Sequence, residues 1–230
     1  MIKLGILSHK DLPTGESYIF AEKKYNRDSY SARALLEEMY RENNSKPLPL
    51  IEYTPSGKPY LSGEGEPYIS LSHTDNYSFV CLSDTYRCGA DIEEKQDREK
   101  AERITARYLS KVSFNLHSLQ EKCEISFYKF DTGRGISKTV TLPCPLDEKR
   151  VEYISSGEKI VLSPSMASSF ESGWTLVESA LKCSGEGFRA FPGVSELLEK
   201  YCTLSMKAEV DEGEKAAELY FSIALDSPII

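Results

Sequence analysis

The stretch YISLSHTDNYSFVCLSDTYRCGADIEE, residues 68–94, holds three alternating runs separated by two turn signals. YISLS alternates, HTDN turns, YSFVCL returns, SDTY turns again and RCGADIE forms a third run. This is the pattern of a short-range antiparallel meander. Ser72 and His73 close the first run. Asp91 and Glu93 stand two apart in the third, so both project from one face of the strand while Ile92 goes to the other. Two carboxylates held this close repel unless something positive lies between them, and a divalent cation with oxygen ligands, magnesium for example, does this well. Taken alone, the same pair also reads as two solvated acids at a strand end.

Working outward, residues 2–7 (IKLGIL) read as an opening strand and 28–41 (DSYSARALLEEMYR) as a helix capped by Asp28 or Ser29. Ala32, Leu35, Leu36 and Met39 make its apolar face and Arg33 points away from it. Lys23, Lys24 and Arg27 form a small basic cluster just upstream. TPSGKPYL, residues 54–61, is a turn by its Pro and Gly. Residues 97–109 read as a second helix, with Arg103 and Arg107 beside an apolar stripe of Ala101, Ile104 and Tyr108. Residues 124–163 are β-like, with turns at DTGRG and SSGE. A helix follows at 172–183, capped by Ser172 and stopped by Gly185. A short helix (SELLEKY) and two strands (TLSMKAEV and AELYFSIAL) complete the chain.

In the helix at 172–183, Trp174, Val177 and Leu181 define an apolar arc. At about 100° per residue Glu178 falls inside it, about 40° from Trp174. A carboxylate at the edge of a buried stripe is costly unless it is paired or metal-bound. Lys182, four residues on, makes either a simple surface pair with Glu178 or a second group of the same site. Three acids and a lysine suit phosphate chemistry, in which a metal and a lysine neutralise phosphate oxygens and a leaving group.

The chain has 230 residues, a formal net charge of −8 and a sequence pI near 5.1. The acidic balance argues against nucleic acid as a partner. Neither a signal-peptide pattern nor a membrane-length apolar run is present, so a cytoplasmic chain is expected. Six cysteines without a CxxC pair, and three scattered histidines, read as free thiols in a reducing compartment, several of them buried, and not as a zinc site.

The series S-G-K-P (56–59), I-S-L-S-H-T (69–74), G-A-D-I-E (89–93) and W-T-L-V-E-S-A-L-K (174–182) resembles the 4′-phosphopantetheinyl transferases of the surfactin-synthetase-activating type. The resemblance implies an α+β fold, a single-chain pseudo-dimer of two similar halves, with coenzyme A in the cleft between them. The halves would be 1–85 and 86–230, the second carrying a β-rich insertion at about 120–170. It implies a cytoplasmic monomeric enzyme that moves the phosphopantetheine arm of coenzyme A to a serine of an apo acyl or peptidyl carrier protein, releasing adenosine 3′,5′-bisphosphate. By the same resemblance Asp91, Glu93 and Glu178 are the magnesium ligands and Lys182 contacts the pyrophosphate. Arg33, Gly57, Lys58, Pro59, Ser72 and His73 surround the coenzyme, with Lys23 and Lys24 near its 3′-phosphate. Glu178 is the candidate general base, and His73 a further catalytic phosphate contact.

Three departures stand out. Val177 replaces the lysine that often precedes the helix glutamate. The gap between Glu93 and Trp174 is unusually long. Ala90 replaces a branched residue. The insertion lies where the family contacts its carrier; Arg103, Arg107 and Lys111 would supply a basic patch for an acidic partner. The rival readings are a non-catalytic carrier-binding relative and a magnesium-dependent phosphodiesterase.

Overall fold

The computed structural model describes residues 1–13, 15, 18–131, 133–144, 150–155, 158–165, 167–211 and 216–228. The fold is mixed α+β with several sheets, strand outweighing helix at 43% against 27%. One sheet contains β1 (Ile2–Ser8), β6 (Tyr68–His73), β7 (Tyr77–Ser83), β10 (Cys123–Asp131) and β11 (Gly135–Pro143), in the order β11-β10-β1-β7-β6. The other contains β8 (Cys88–Glu94), β12 (Val151–Ser155), β13 (Glu158–Pro164), β14 (Cys202–Asp211) and β15 (Ala216–Leu225), in the order β12-β13-β14-β15-β8. The two-residue β9 (His117–Ser118) pairs with the start of β14. Two small ribbons join β2 (Tyr18–Phe20) to β3 (Lys23–Tyr25) and β4 (Ile51–Tyr53) to β5 (Pro59–Leu61). The helices are α1 (Arg27–Arg41), α2 (Arg98–Arg107), α3 (Phe170–Ser184) and α4 (Val194–Lys200), with 3-10 turns at Leu109–Lys111 and Gly187–Gly193.

The two sheets pack face to face. Alternation along each strand sends Ile2, Leu4 and Ile6 of β1, Phe79 and Cys81 of β7 and Ile125 and Phe127 of β10 into one core with Ile92, Leu162, Met206, Phe221 and Ile223 of the other sheet. Phe79 and Phe221 meet across it, ring centroids 5.2 Å apart. The opposite faces carry the helices. Leu35, Leu36, Met39 and Tyr40 of α1 cover Leu7, Val80, Leu82 and Tyr128, and Leu176, Ala180 and Cys183 of α3 pack with Ala224 of β15.

The meander expected over 68–94 holds for two strands only. β6 and β7 pair antiparallel, but β8 pairs with β15, more than a hundred residues downstream. The S-D-T-Y turn therefore carries the chain from one sheet to the other. The long β-like region also divides. β10 and β11 extend the first sheet, β10 running parallel to β1, whereas β12 and β13 extend the second. The residues expected to form an insertion in the second half thus serve both sheets. The central residues of the S-S-G-E turn, 156 and 157, and Thr132 of D-T-G-R-G lie outside the described residues.

The starts of α1 and α3 fall a little upstream of expectation, each where a side chain satisfies an orphan amide, whereas α2 spans Arg98–Arg107 within the expected 97–109. Asn26 caps α1 by accepting from the Ser29 amide, and Ser169 caps α3 in a reciprocal box with Ser172. Gly185, at φ 79°, ends α3 as expected. All six cysteines are free and buried. Among the described residues no helix is long and apolar enough to cross a membrane.

Two junctions fix the placement of α3 and α1. On β8, a Cβ added to Gly89 would lie 2.0 Å from the Ser179 carbonyl oxygen and 2.3 Å from the Cys183 amide nitrogen, so the backbone of α3 rests directly on the strand. At the end of β1, buried His9 places Nε2 2.8 Å from both Ser78 Oγ and Ser31 Oγ, tying β7 to α1. Its Nδ1 lies 3.1 Å from the Asp75 carbonyl and 3.6 Å from Asp28 Oδ1. Burial lowers the His9 pKa below its ordinary 6.5, against the pull of the Asp75 carbonyl and Asp28.

Two outcomes are expected. Gly89→Ala should destabilise the fold by about 3 kcal/mol or more, at the top of the overpacking range, because rigid backbone and not a flexible side chain must move; urea unfolding reads this directly. Below pH 6.5 the unfolded chain binds a proton at His9 that the folded chain resists, so stability should fall as pH drops from 6.5 toward the lowered folded value. His9→Gln should lose less stability than wild type between pH 7 and pH 5.

Candidate functional site

The outward-facing positions of β8 after Gly89 are Asp91 and Glu93, and α3, seated on Gly89, brings Glu178 and Lys182 over them. Asp91 is only 4% exposed. Its Oδ1 accepts from Lys182 Nζ at 2.6 Å and from Ser72 Oγ at 2.8 Å. Lys182 Nζ also lies 3.1 Å from Ser72 Oγ and 4.0 Å from Glu178 Oε2. Ser72 comes from β6, the edge strand of the other sheet. Ser70, two residues before it, accepts the Ala90 amide through its hydroxyl at 2.9 Å. Alternate serines of one edge strand therefore dock the other sheet's edge strand and complete the site.

The charge balance is uneven. Asp91 Oδ2 is buried with no hydrogen-bond partner, a state that costs on the order of 1–3 kcal/mol. Glu93 and Glu178 are each pushed up to about 7, first by burial and next by the Asp91 charge. Lys182 opposes that rise at both glutamates. Glu93 Oε2 accepts from Gln96 Nε2 at 2.9 Å, and the Gln96 amide donates to buried Glu171. Asp91 and Glu178 thus share Lys182 in a partly dry setting, while Glu93 is eased more by Lys100 than by Lys182.

The residues expected to hold magnesium lie in one neighbourhood but do not converge as a ligand set. Among the described residues no group of three His, Cys, Asp or Glu side chains is arranged to hold an ion. The reason is local: Lys182 Nζ stands between Asp91 and Glu178, and Glu93 turns to Gln96. The 2.6 and 4.0 Å contacts laid end to end bound the separation of Asp91 Oδ1 and Glu178 Oε2. Oxygens sharing one magnesium lie on the order of 4 Å apart or less, twice the metal–oxygen distance, so the three acids are not arranged as ligands of one ion among the described residues. The unpartnered Asp91 Oδ2 and the carboxylates of Glu93 and Glu178 are oxygen donors, the type a hard divalent cation takes.

The other expected residues divide into two groups. Gly57, Lys58 and Pro59 line a cavity of about 220 Å³ together with Ser70, Leu71, Leu181 and Lys182. Lys58 Nζ donates to backbone carbonyls of α3 and β8. His73 is exposed at the end of β6 and feels the charges of Asp28, Lys182, Arg33 and Asp75. Arg33 is fixed by its own helix and by two tyrosines. It donates to the Ser29 carbonyl and to Tyr53 Oη, both at 2.6 Å, and sits 4.1 Å above the Tyr25 ring, with Nε buried and unpartnered. Lys23 and Lys24 are exposed on β3, Lys23 beside a separate cavity of about 330 Å³ lined by Tyr25 and Tyr30.

Val177 is fully buried with Trp174, Leu181 and Val194. A lysine there would enter an apolar cluster, so position 177 offers no group to the site in this chain. Arg103, Arg107 and Lys111 are all exposed, Arg107 lying 5.0 Å over the Tyr108 ring. Sequence reasoning missed the bridging role of Ser70, the Gln96–Glu93 contact and the tyrosines that fix Arg33. The alternation S-L-S, two serines on one face of an edge strand, was the one signal that could have revealed the first.

No family model matches the chain, and no curated protein matches it.

Between pH 4.5 and about 7 the folded chain binds protons at Glu93 and Glu178 that the unfolded chain has released, so stability should decline as pH rises through that window, the contribution of these two groups being lost fully above it. Glu178→Gln should flatten this decline and be more stable than wild type at pH 8, measured by chemical denaturation at pH 5 and pH 8.

Proposed function

We propose that this protein transfers the 4′-phosphopantetheine arm of coenzyme A to a serine of an apo acyl or peptidyl carrier protein. The observation that carries the reading is the meeting of Asp91, Glu178 and Lys182, two acids and a lysine drawn from β8 and α3, with one carboxylate oxygen buried and unpartnered. The motif series that resembles the 4′-phosphopantetheinyl transferases supplies the reaction; the geometry supplies a place where its charges would be handled. The pseudo-dimer reading has related support, since each sheet carries a helix on its outer face and lends an edge strand, β6 or β8, to the junction.

In this reading Asp91, Glu93 and Glu178 would hold magnesium, which when bound screens the charge of the coenzyme pyrophosphate. Lys182 exchanges Asp91 for the pyrophosphate and stabilises the departing bisphosphate. Glu178 is the candidate to accept the carrier-serine proton. As that hydroxyl attacks the β-phosphorus, the bond to the bridging oxygen breaks and adenosine 3′,5′-bisphosphate leaves. His73 and Arg33 would meet further phosphate charge in this reading. The acidic chain meets an acidic carrier through the exposed Arg103, Arg107 and Lys111.

Incubation with coenzyme A, magnesium and a panel of apo carrier proteins should raise the mass of at least one carrier by one phosphopantetheine arm. No gain on any of them would favour the non-catalytic carrier-binding reading. Magnesium should also raise the melting temperature of the wild type at pH 8 and leave Asp91→Ala unmoved. Transfer should be abolished in Asp91→Ala, and activity surviving in that variant would refute the metal assignment.

A further inference from the structure

We propose that Lys58 is a positioning residue: its ammonium latches the S-G-K-P turn onto the last turn of α3, holds Lys182 over Asp91 and does not contact phosphate. The inference rests on the transfer reading for Lys182 but departs from it at Lys58, which the motif resemblance would place against the coenzyme.

Lys58 Nζ donates to three backbone carbonyls, those of Cys88 at 2.8 Å, Lys182 at 2.6 Å and Cys183 at 3.1 Å. An ammonium has three protons, so its donor capacity is filled. Two acceptors belong to the final turn of α3, where carbonyls lack intrahelical partners and the helix dipole presents its negative end. The third opens β8 one residue before Gly89, the point on which α3 rests. A single charge therefore ties together the end of the helix, the start of the acid-bearing strand and a turn from the first third of the chain.

The turn is set to deliver it. Gly57, at φ 89°, takes a conformation that other residues adopt rarely. The Gly57 amide donates to the Thr54 carbonyl at 2.8 Å, and the Lys58 amide to Thr54 Oγ1 at 3.0 Å. The stem of Lys58 lies along Gly185, where an added Cβ would come within 3.3 Å of Lys58 Cδ. One accepting carbonyl is that of Lys182 itself, so the backbone of the lysine that grips Asp91 is pinned from behind. A compact tetrahedral ammonium suits three converging carbonyls. A planar guanidinium does not, although it serves a phosphate as well as or better than lysine.

That difference supplies the test. Amide hydrogen exchange should show residues 182–185 exchanging at least tenfold faster in both Lys58→Met and Lys58→Arg than in wild type. With coenzyme A and an apo carrier, Lys58→Arg should fail to rescue the loss in Lys58→Met, and the Lys58→Met/Lys182→Met double variant should lose no more than Lys182→Met alone. Unchanged exchange, rescue by arginine or additive losses would each overturn the latch. A wild-type chain that transfers nothing would instead overturn the transfer reading, and the exchange result would still decide whether Lys58 pins the helix end.

Discussion

The structure turns on direct contact between the backbone of α3 and strand β8 at Gly89. Helices usually stand off a sheet by the thickness of two side-chain layers, but here the missing Cβ lets Ser179 and Cys183 touch the strand itself. That closeness has a chemical consequence. Asp91 lies two positions further along the same face, within reach of Lys182 at 2.6 Å, and is only 4% exposed. With a larger residue at 89 the helix would be lifted and the Asp91–Lys182 contact stretched. The ion pair would then weaken while the carboxylate remained largely desolvated.

The second constraint is the docking of two edge strands. β6 and β8 end different sheets, and an exposed strand edge is a liability that proteins blunt or cover. Ser70 and Ser72 do this without a ladder: one hydroxyl takes a backbone amide and the other donates to Asp91. The face-to-face core, with Phe79 against Phe221, keeps the sheets in register while the serines fix where their edges meet. A site assembled from β6, β8 and α3 thus sits where three independently packed units converge, and relative movement of any one would change its charge spacing.

Local pattern disclosed much of this and long-range pairing little. Alternation placed Asp91 and Glu93 on one face, and helical periodicity placed Glu178 and Lys182 beside the Trp174–Val177–Leu181 stripe; both are properties of a few neighbouring residues. The partner of β8 is more than a hundred residues away, and nothing within GADIE distinguishes pairing with β7 from pairing with β15. The division of the long β-like region between two sheets was hidden for the same reason. The ribbons at 18–25 and 51–61 are three-residue strands with exposed faces, too short to show a period. Gly89 was visible as a glycine in a strand, but its meaning depends on which helix comes to lie on it.

The electrostatics of the site run against stability and toward binding. A fold selected only to persist would neutralise Asp91 fully and replace Glu93 and Glu178, whose pKa values of about 7 mark how poorly the surroundings tolerate their charge. Instead one carboxylate oxygen is left buried without a partner among the described residues, and one lysine is shared between Asp91 and Glu178. Such an arrangement gains most from a positive ligand that reaches all three acids, since each acid would then be stabilised in its charged form. In the proposed transfer reading Lys182, displaced from Asp91 by the same event, would become available for an anion. In the proposed transfer reading, a cation and a polyanion entering together would satisfy both halves of this imbalance, as neither would alone.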